Sequence, residues 1–432
     1  MRTPNRRHIA RALAVAALAG PWTLPTLTRR LLASFRPAPS WLVDLAQRLV
    51  HDHIAAPDVD TLAARLHDDA LVRAALASGE PIAPIAQPVL PPLVVPGLPA
   101  LADEAALADW LGLDAGELVW LADAWSQEAR RPEGPQRHYR YRWLARDYGS
   151  DRLIEMPKRR LRDVQRRIHL SLLRHITVHA AAYGFVRGRS AIDHARRHVG
   201  AAWVLRLDLS QFFCHVTRVR VRGVFALLGY APGVAALLAA LATNRVPTPV
   251  LDAAPHRVRV WEERQRYLEP HLPQGAPTSP ALANAVAFVL DVRLAALATT
   301  FGATYSRYAD DLTFSHPRWS RTQASRCARM ASEIAADCGF VVNPRKTLLM
   351  GAQHAQTVTG VVVNRHPNLA RRDYDRLKAI LTNCVRHGPT SQNREGRADF
   401  RAWLRGHVAY AQAVNPLRAR KLLALYEAIA WV

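Results

Sequence analysis

The chain is short of acid, short of cysteine and without a long apolar run. Its 58 lysines and arginines face 35 acidic residues, a formal charge of +23. Such an excess repels itself unless a polyanion neutralises it, which points to RNA or DNA as the partner. The arginines are spread along the whole chain rather than gathered on one amphipathic helix, which disfavours a membrane surface. The four cysteines, Cys214, Cys327, Cys338 and Cys384, lie far apart and form no Cys-x-x-Cys pair. That excludes a zinc ribbon and a disulfide framework and suits a reducing cytoplasm. No segment is long and apolar enough to span a bilayer. Arg6 and Arg7 ahead of Ala12–Gly20 imitate an export signal, but the run is brief and lacks a convincing cleavage site. A soluble, cytoplasmic protein is expected. No internal repeats stand out, and His51 and His53 read as surface histidines near a helix start rather than ligands.

With 432 residues, half of them apolar, the chain can fill two or three domains. Residues 1–80 are rich in Ala, Leu and Arg with helical spacing, as at Leu42, Leu45 and Leu49 and again at Leu62 and Leu66. Seven prolines between Pro81 and Pro99 forbid a continuous helix, so 81–100 reads as an extended connector. Helical spacing resumes over 101–124 with Leu107, Trp110, Leu111 and Leu118. Tyr139–Arg146, the turn Asp147–Gly149 and Arg152–Met156 form a β-hairpin signature. Pro157 is expected to open an amphipathic helix burying Leu161, Val164, Ile168 and Leu172. Val204–Leu209 and Tyr305–Ser315 read as strands, and the chain from Tyr374 onward as basic helices.

The chemistry concentrates at two places. Tyr308-Ala309-Asp310-Asp311 sets two adjacent carboxylates between β-prone runs, costly unless a cation compensates them. An exposed Asp-Asp turn is common, so this dipeptide decides nothing alone. Leu205-Arg206-Leu207-Asp208-Leu209-Ser210-Gln211-Phe212-Phe213 places a third carboxylate at the end of an apolar strand. Phosphoryl transfer by two metals needs acids converging from separate segments to hold ions about 4 Å apart, and Asp208, Asp310 and Asp311 make a suitable set.

Tyr-Ala-Asp-Asp, the upstream Asp-x-x-x-Phe-Phe and Leu272-Pro273-Gln274-Gly275-Ala276-Pro277-Thr278-Ser279-Pro280 together resemble the palm of a bacterial reverse transcriptase. Order and separations match that family's blocks from about Tyr139 to Asn364. The resemblance implies an α+β right-hand polymerase: fingers and palm (an antiparallel sheet plus helices) over 101–365, a helical, RNA-binding thumb over 366–432, and an N-terminal mainly helical extension over 1–80. It implies an RNA-directed DNA polymerase, a nucleotidyltransferase with two Mg2+ held by Asp208, Asp310 and Asp311. It implies that Gln274 contacts the incoming dNTP. Phe213, five residues after Asp208, would exclude a ribose 2′-hydroxyl, whereas Phe212 reads as core. Arg146 and Arg152 match basic residues that hold the triphosphate. Lys346, in Gly339-Phe340-Val341-Val342-Asn343-Pro344-Arg345-Lys346-Thr347, would donate a proton to pyrophosphate or only position it.

Within that family the chain resembles the retron enzymes. Gly184-Phe185-Val186-Arg187-Gly188-Arg189-Ser190 precedes Asp193-His194-Ala195-Arg196-Arg197-His198, where retron enzymes carry Asn-Ala-x-x-His. This chain keeps Ala195 and His198 and has His194 in place of the asparagine. Val358-Thr359-Gly360 is the signature before the thumb, and about seventy residues follow it, enough for a helical thumb. The retron resemblance implies a structured non-coding RNA as template and primer, a branched RNA–DNA product (msDNA), and antiviral defence with an effector protein. His194, His198, Arg371, Arg372, Lys378 and Arg418, with Arg386, Arg420 and Lys421, are candidate RNA contacts, mainly to phosphates and 2′-hydroxyls. A group II intron-like enzyme is the runner-up, expected to carry a longer region after the thumb. A non-catalytic RNA-binding scaffold is the alternative of another class, disfavoured because all three carboxylates are present.

Overall fold

A computed structural model describes residues 6–18, 22–53, 57, 59–78, 82–84, 95, 97–144, 151–254 and 261–431. Helices predominate around small antiparallel sheets, in line with the expected α+β class. The chain divides into two compact units, one of Met1–Ile176, Phe213–Val286 and Ser332–Val341, the other of Thr177–Phe212, Ala287–Ala331 and Val342–Val432.

The first unit begins with the helices Arg6–Leu18, Leu24–Ser34, Trp41–Asp52, Val59–Asp68 and Ala70–Ala77. Their apolar stripes meet in one core that includes Leu13, Leu27, Leu31, Leu42, Leu45, Leu62 and Leu66, as helical spacing requires. The described part of the export-like run lies in the first of these helices and buries Leu13, Ala14 and Ala17 in that core. His51 sits in the last turn of the helix Trp41–Asp52 and His53 caps its end, so the pair marks a helix end, not the expected start. Most of the proline-rich stretch 81–100 lies outside the described residues; within it Ala83–Pro84 pairs antiparallel with Phe35–Arg36. The helices Glu104–Leu111 and Ala115–Ala122 follow. Gly112, at φ 67°, closes the first, and the Asp114 carboxylate caps the second, each by the usual end chemistry.

The two strands of the expected hairpin pair, β1 (Tyr139–Leu144) antiparallel to β2 (Arg152–Pro157) with Tyr139 opposite Pro157; the expected turn Asp147–Gly149 lies outside the described residues. The next helix is Arg159–Ser171, with Lys158 as its cap. Pro157 therefore ends β2 instead of opening the helix, because a strand end tolerates a residue without an N–H. Leu161, Val164, Ile168 and Leu172 are buried as the spacing demands. Residues 272–278 form a loop into the helix Ser279–Val286.

The second unit is built on an antiparallel sheet of β3 (Trp203–Asp208), β4 (Thr304–Tyr308), β5 (Asp311–His316) and β6 (Leu348–Gly351), in the order β4-β5-β3-β6. The strand-like run Tyr305–Ser315 is a hairpin of β4 and β5 folded at Ala309 and Asp310, as a tight turn with the two acids at its tip requires. Val204, Leu205, Leu312 and Phe314 are fully buried. The helices Arg371–His387, Phe400–Val414 and Pro416–Glu427 close on Leu377, Leu381, Leu404, Val408 and Leu422. Among the described residues no single helix is long and apolar enough to cross a membrane.

Candidate functional site

The second unit gathers the three candidate carboxylates at one end of its sheet. β5 pairs with β3 so that Asp208 stands directly opposite Asp311, and with β4 so that Tyr308 does too. Cross-strand partners project on the same face, with Cβ atoms about 4.5–5.5 Å apart. Ala309 and Asp310 form the turn, with Ala309 at φ 56°, the left-handed geometry that lets a two-residue hairpin follow strand twist. Leu209 N–H donates to the Asp310 carbonyl (2.9 Å) and Asn343 N–H to the Asp208 carbonyl (2.7 Å), which ties the end of β3 to this turn and to the segment carrying Lys346.

The charges are unequal. Lys346 Nζ lies 3.0 Å from both carboxylate oxygens of Asp208. Arg206 donates to Asp311 Oδ2 at 2.7 Å; two residues before Asp208 on β3, it shares the carboxylate face. Burial, reinforced by the nearby Asp208 carboxylate, raises the pKa of Asp310. Burial also raises that of Asp311, with Arg206 pulling the other way. A carboxylate cluster short of positive charge, carried on a rigid sheet end, fits a divalent cation in its donor chemistry. Among the described residues no three acidic, histidine or cysteine side chains are grouped to clasp an ion as they are placed. As placed, Lys346 engages both carboxylate oxygens of Asp208, and Arg206 one oxygen of Asp311.

The other candidates are distributed between the units. Phe213 belongs to the first unit and is half-buried, whereas Phe212, in the second, is buried as expected for a core residue. Gln274 lies in the first unit on a loop braced by β2: Glu155 N–H donates to its carbonyl at 2.9 Å. Gly275, at φ 134°, packs so closely that a Cβ would sit 2.8 Å from the Glu155 carbonyl oxygen. Beneath this loop the buried Glu155 carboxylate accepts from Asn244 Nδ2 (2.7 Å) and meets His271 Nε2 at 3.1 Å. Burial opposes protonation of His271, but Cys214 and Glu155 outweigh it and hold its pKa well above the ordinary value. Arg152 lies at the start of β2, half-buried; Arg146 lies outside the described residues.

His194 and His198 are 0% and 1% exposed, so neither presents its ring to an RNA, contrary to expectation. Their helix, Ala191–Arg196 with its following turn, packs them inward. His198 bridges Ser315 Oγ (2.7 Å) and Ser306 Oγ (2.6 Å), joining β5 to β4, and His194 lies against the Tyr308 ring. Burial lowers the His194 pKa to about 4 and that of His198 well below the ordinary value, so both rings stay neutral. On the last helices Arg371 and Arg372 are exposed, Lys378 and Arg418 half-buried, and Arg418 stacks over the Tyr374 ring at 4.2 Å. Sequence reasoning missed Arg206, which the alternation of β3 could have revealed. It also missed the Glu155–His271 pair, for which residues far apart in the chain give no local signal.

Comparisons with known proteins agree on one family. The profile of the family "Reverse transcriptase (RNA-dependent DNA polymerase)" matches residues 145–363. The Mx65 retron reverse transcriptase of Myxococcus xanthus is 41% identical over 327 residues, covering 76% of this chain and 71% of that protein. The Mx162 retron enzyme of the same organism is 36% identical over 342 residues, 76% of this chain and 67% of its own. The Ec86 retron reverse transcriptase of Escherichia coli is 30% identical over 273 residues, 63% of this chain and 74% of its own. Around Asp208, Asp310 and Asp311, then, stands a chain that belongs to the retron reverse transcriptases, RNA-directed DNA polymerases that work from a non-coding RNA and make RNA–DNA.

Proposed function

We propose that Asp208, Asp310 and Asp311 hold two Mg2+ ions for DNA synthesis from a structured non-coding RNA, yielding branched RNA–DNA. The observation that supports this most is the register of β3 and β5, with Asp208 opposite Asp311 and Asp310 at the adjoining turn. When bound, divalent ions neutralise the transferring phosphoryl group and favour ionisation of the attacking hydroxyl. The protein's share is to fix three carboxylates on a sheet end that does not reorganise during reaction. In this reading Phe213 excludes the ribose 2′-hydroxyl, Gln274 contacts the dNTP, and Arg146 and Arg152 hold its triphosphate. Lys346, paired with Asp208 in the free chain, gives its charge to pyrophosphate as proton donor or as positioning group.

Residues 101–365 then serve as fingers and palm and 366–432 as thumb, with 1–80 as a helical extension and 81–100 as connector. Exposed Arg371 and Arg372, with Lys378 and Arg418, contact RNA phosphates from the thumb; buried His194 and His198 do not. The compartment in this reading is the cytoplasm, consistent with four free cysteines, and the biological role is antiviral defence alongside an effector protein. Total nucleic acid from cells carrying the gene with its flanking DNA tests the product. A short, abundant RNA–DNA species that shifts on debranching is expected. DNA products without a branch speak against priming in the retron manner.

A further inference from the structure

The turn that carries Asp310 and Asp311 is gripped from behind by a side chain the reading above does not use. Arg307 is fully buried, a costly place for a guanidinium unless its N–H groups are taken up. Its Nε donates to Asp291 Oδ1 at 2.8 Å and one Nη to Asp291 Oδ2 at 2.6 Å, a bidentate pair. The other Nη donates to the Ala309 carbonyl at 3.0 Å. Asp291 belongs to the helix Phe288–Thr300 and also accepts from the Tyr305 hydroxyl at 2.8 Å. The guanidinium thus ties the hairpin turn to a helix of the same unit.

A second contact restrains the same turn. Tyr183 N–H donates to the Arg307 carbonyl (2.7 Å) and Arg307 N–H to the Ala181 carbonyl (2.8 Å). Gly184 follows, packed so that any Cβ would collide with the Ala309 backbone nitrogen. Between these contacts Ala309 keeps its left-handed φ of 56°, a conformation an alanine leaves unless its surroundings hold it.

We propose that Arg307, locked by Asp291, is a positioning residue of the polymerase: by holding the Ala309 carbonyl it fixes the turn that aims Asp310 and Asp311 at the ions. The inference rests on the reading of those aspartates as metal ligands. A lysine would keep the charge but could not serve both Asp291 oxygens and the carbonyl from one planar fork.

The experiment compares the full-length wild type with Arg307→Lys and with a chain carrying Arg307→Met and Asp291→Leu together. The second chain removes both buried charges and so leaves neither unpaired. Three quantities are read: thermal unfolding, binding of Mn2+ alone by electron paramagnetic resonance, and kcat and KM for dNTP on a primed RNA. Both variants are expected to unfold cooperatively, to bind Mn2+ about 10-fold more weakly, and to lose about 10–100-fold in kcat. KM for dNTP is expected to move less than about threefold, since the nucleotide contacts are elsewhere. A folded variant with wild-type Mn2+ binding and kcat overturns the proposal, and failure of both variants to fold assigns Arg307 to stability and overturns it as well. A wild type that binds no Mn2+ and makes no DNA instead sinks the metal-ligand reading, and this inference with it.

Discussion

Asp310 shows how much of this site is decided atom by atom. Its acidity is set by burial and by the carboxylate of Asp208, a residue 102 positions earlier that β-pairing brings opposite its neighbour. Phe213 makes a second case. It follows the buried Phe212 but stays half-buried. If that ring is the barrier to a 2′-hydroxyl, Phe213→Ala admits ribonucleotides, and the ratio of kcat/KM for dNTP over rNTP falls by about 10-fold or more, as expected when a steric exclusion is removed. An unchanged ratio removes Phe213 from that role. The three carboxylates and Lys346 were legible because each stands in a motif with its own spacing. Arg307 and Asp291 were not. A charged residue in a β-prone run gives no sign that it is buried, and its partner sits on a helix 16 residues away. The histidines misled for the same reason: a ring that can meet RNA and a ring that ties β4 to β5 look alike in a sequence.

At the scale of elements, periodicity carried most of the information. The stripe Leu161, Val164, Ile168 and Leu172 located a helix, and alternation on either side of Asp147–Gly149 located the paired strands β1 and β2. Boundaries were less legible, as Pro157 shows, because whether a proline ends a strand or opens a helix depends on what pairs with it. Long-range order was illegible: nothing local says that β3 lies between β5 and β6. The base of the β1–β2 hairpin also holds a buried acid that no motif marks. Glu128 Oε1 accepts from the N–H groups of His138 (2.6 Å) and Tyr139 (3.1 Å). Burial pushes its carboxyl up to about 7, the two N–H donors pulling the other way. A carboxyl whose pKa is raised on folding adds stability that is complete below its unfolded pKa and is lost as pH rises through about 7. Glu128→Gln keeps the acceptor oxygen and removes the titration. Denaturant unfolding from pH 4.5 to 8 should therefore lose a downward slope worth on the order of 3 kcal/mol. A variant with the same slope as wild type would show that Glu128 does not titrate there.

For the molecule as a whole, a charge of +23 states that a polyanion is needed and says nothing of chemistry. Many basic chains bind RNA without copying it, so the charge supports a scaffold as readily as an enzyme. What separates the two is the sheet end, where three acids persist in a chain otherwise poor in acid. Their presence is unfavourable for RNA binding, since each repels phosphate, and is understandable if they would hold divalent ions that supply compensating positive charge for phosphoryl transfer. The measurement that bears on this most directly is DNA synthesis by the purified full-length chain with its own RNA, dNTPs and Mg2+, beside Asp310→Asn. The variant keeps the size of the side chain and removes one ligand charge. Wild type is expected to extend DNA, and Asp310→Asn to bind the RNA equally well while losing about 10²–10³-fold or more in rate. Synthesis by Asp310→Asn at the wild-type rate would contradict the account.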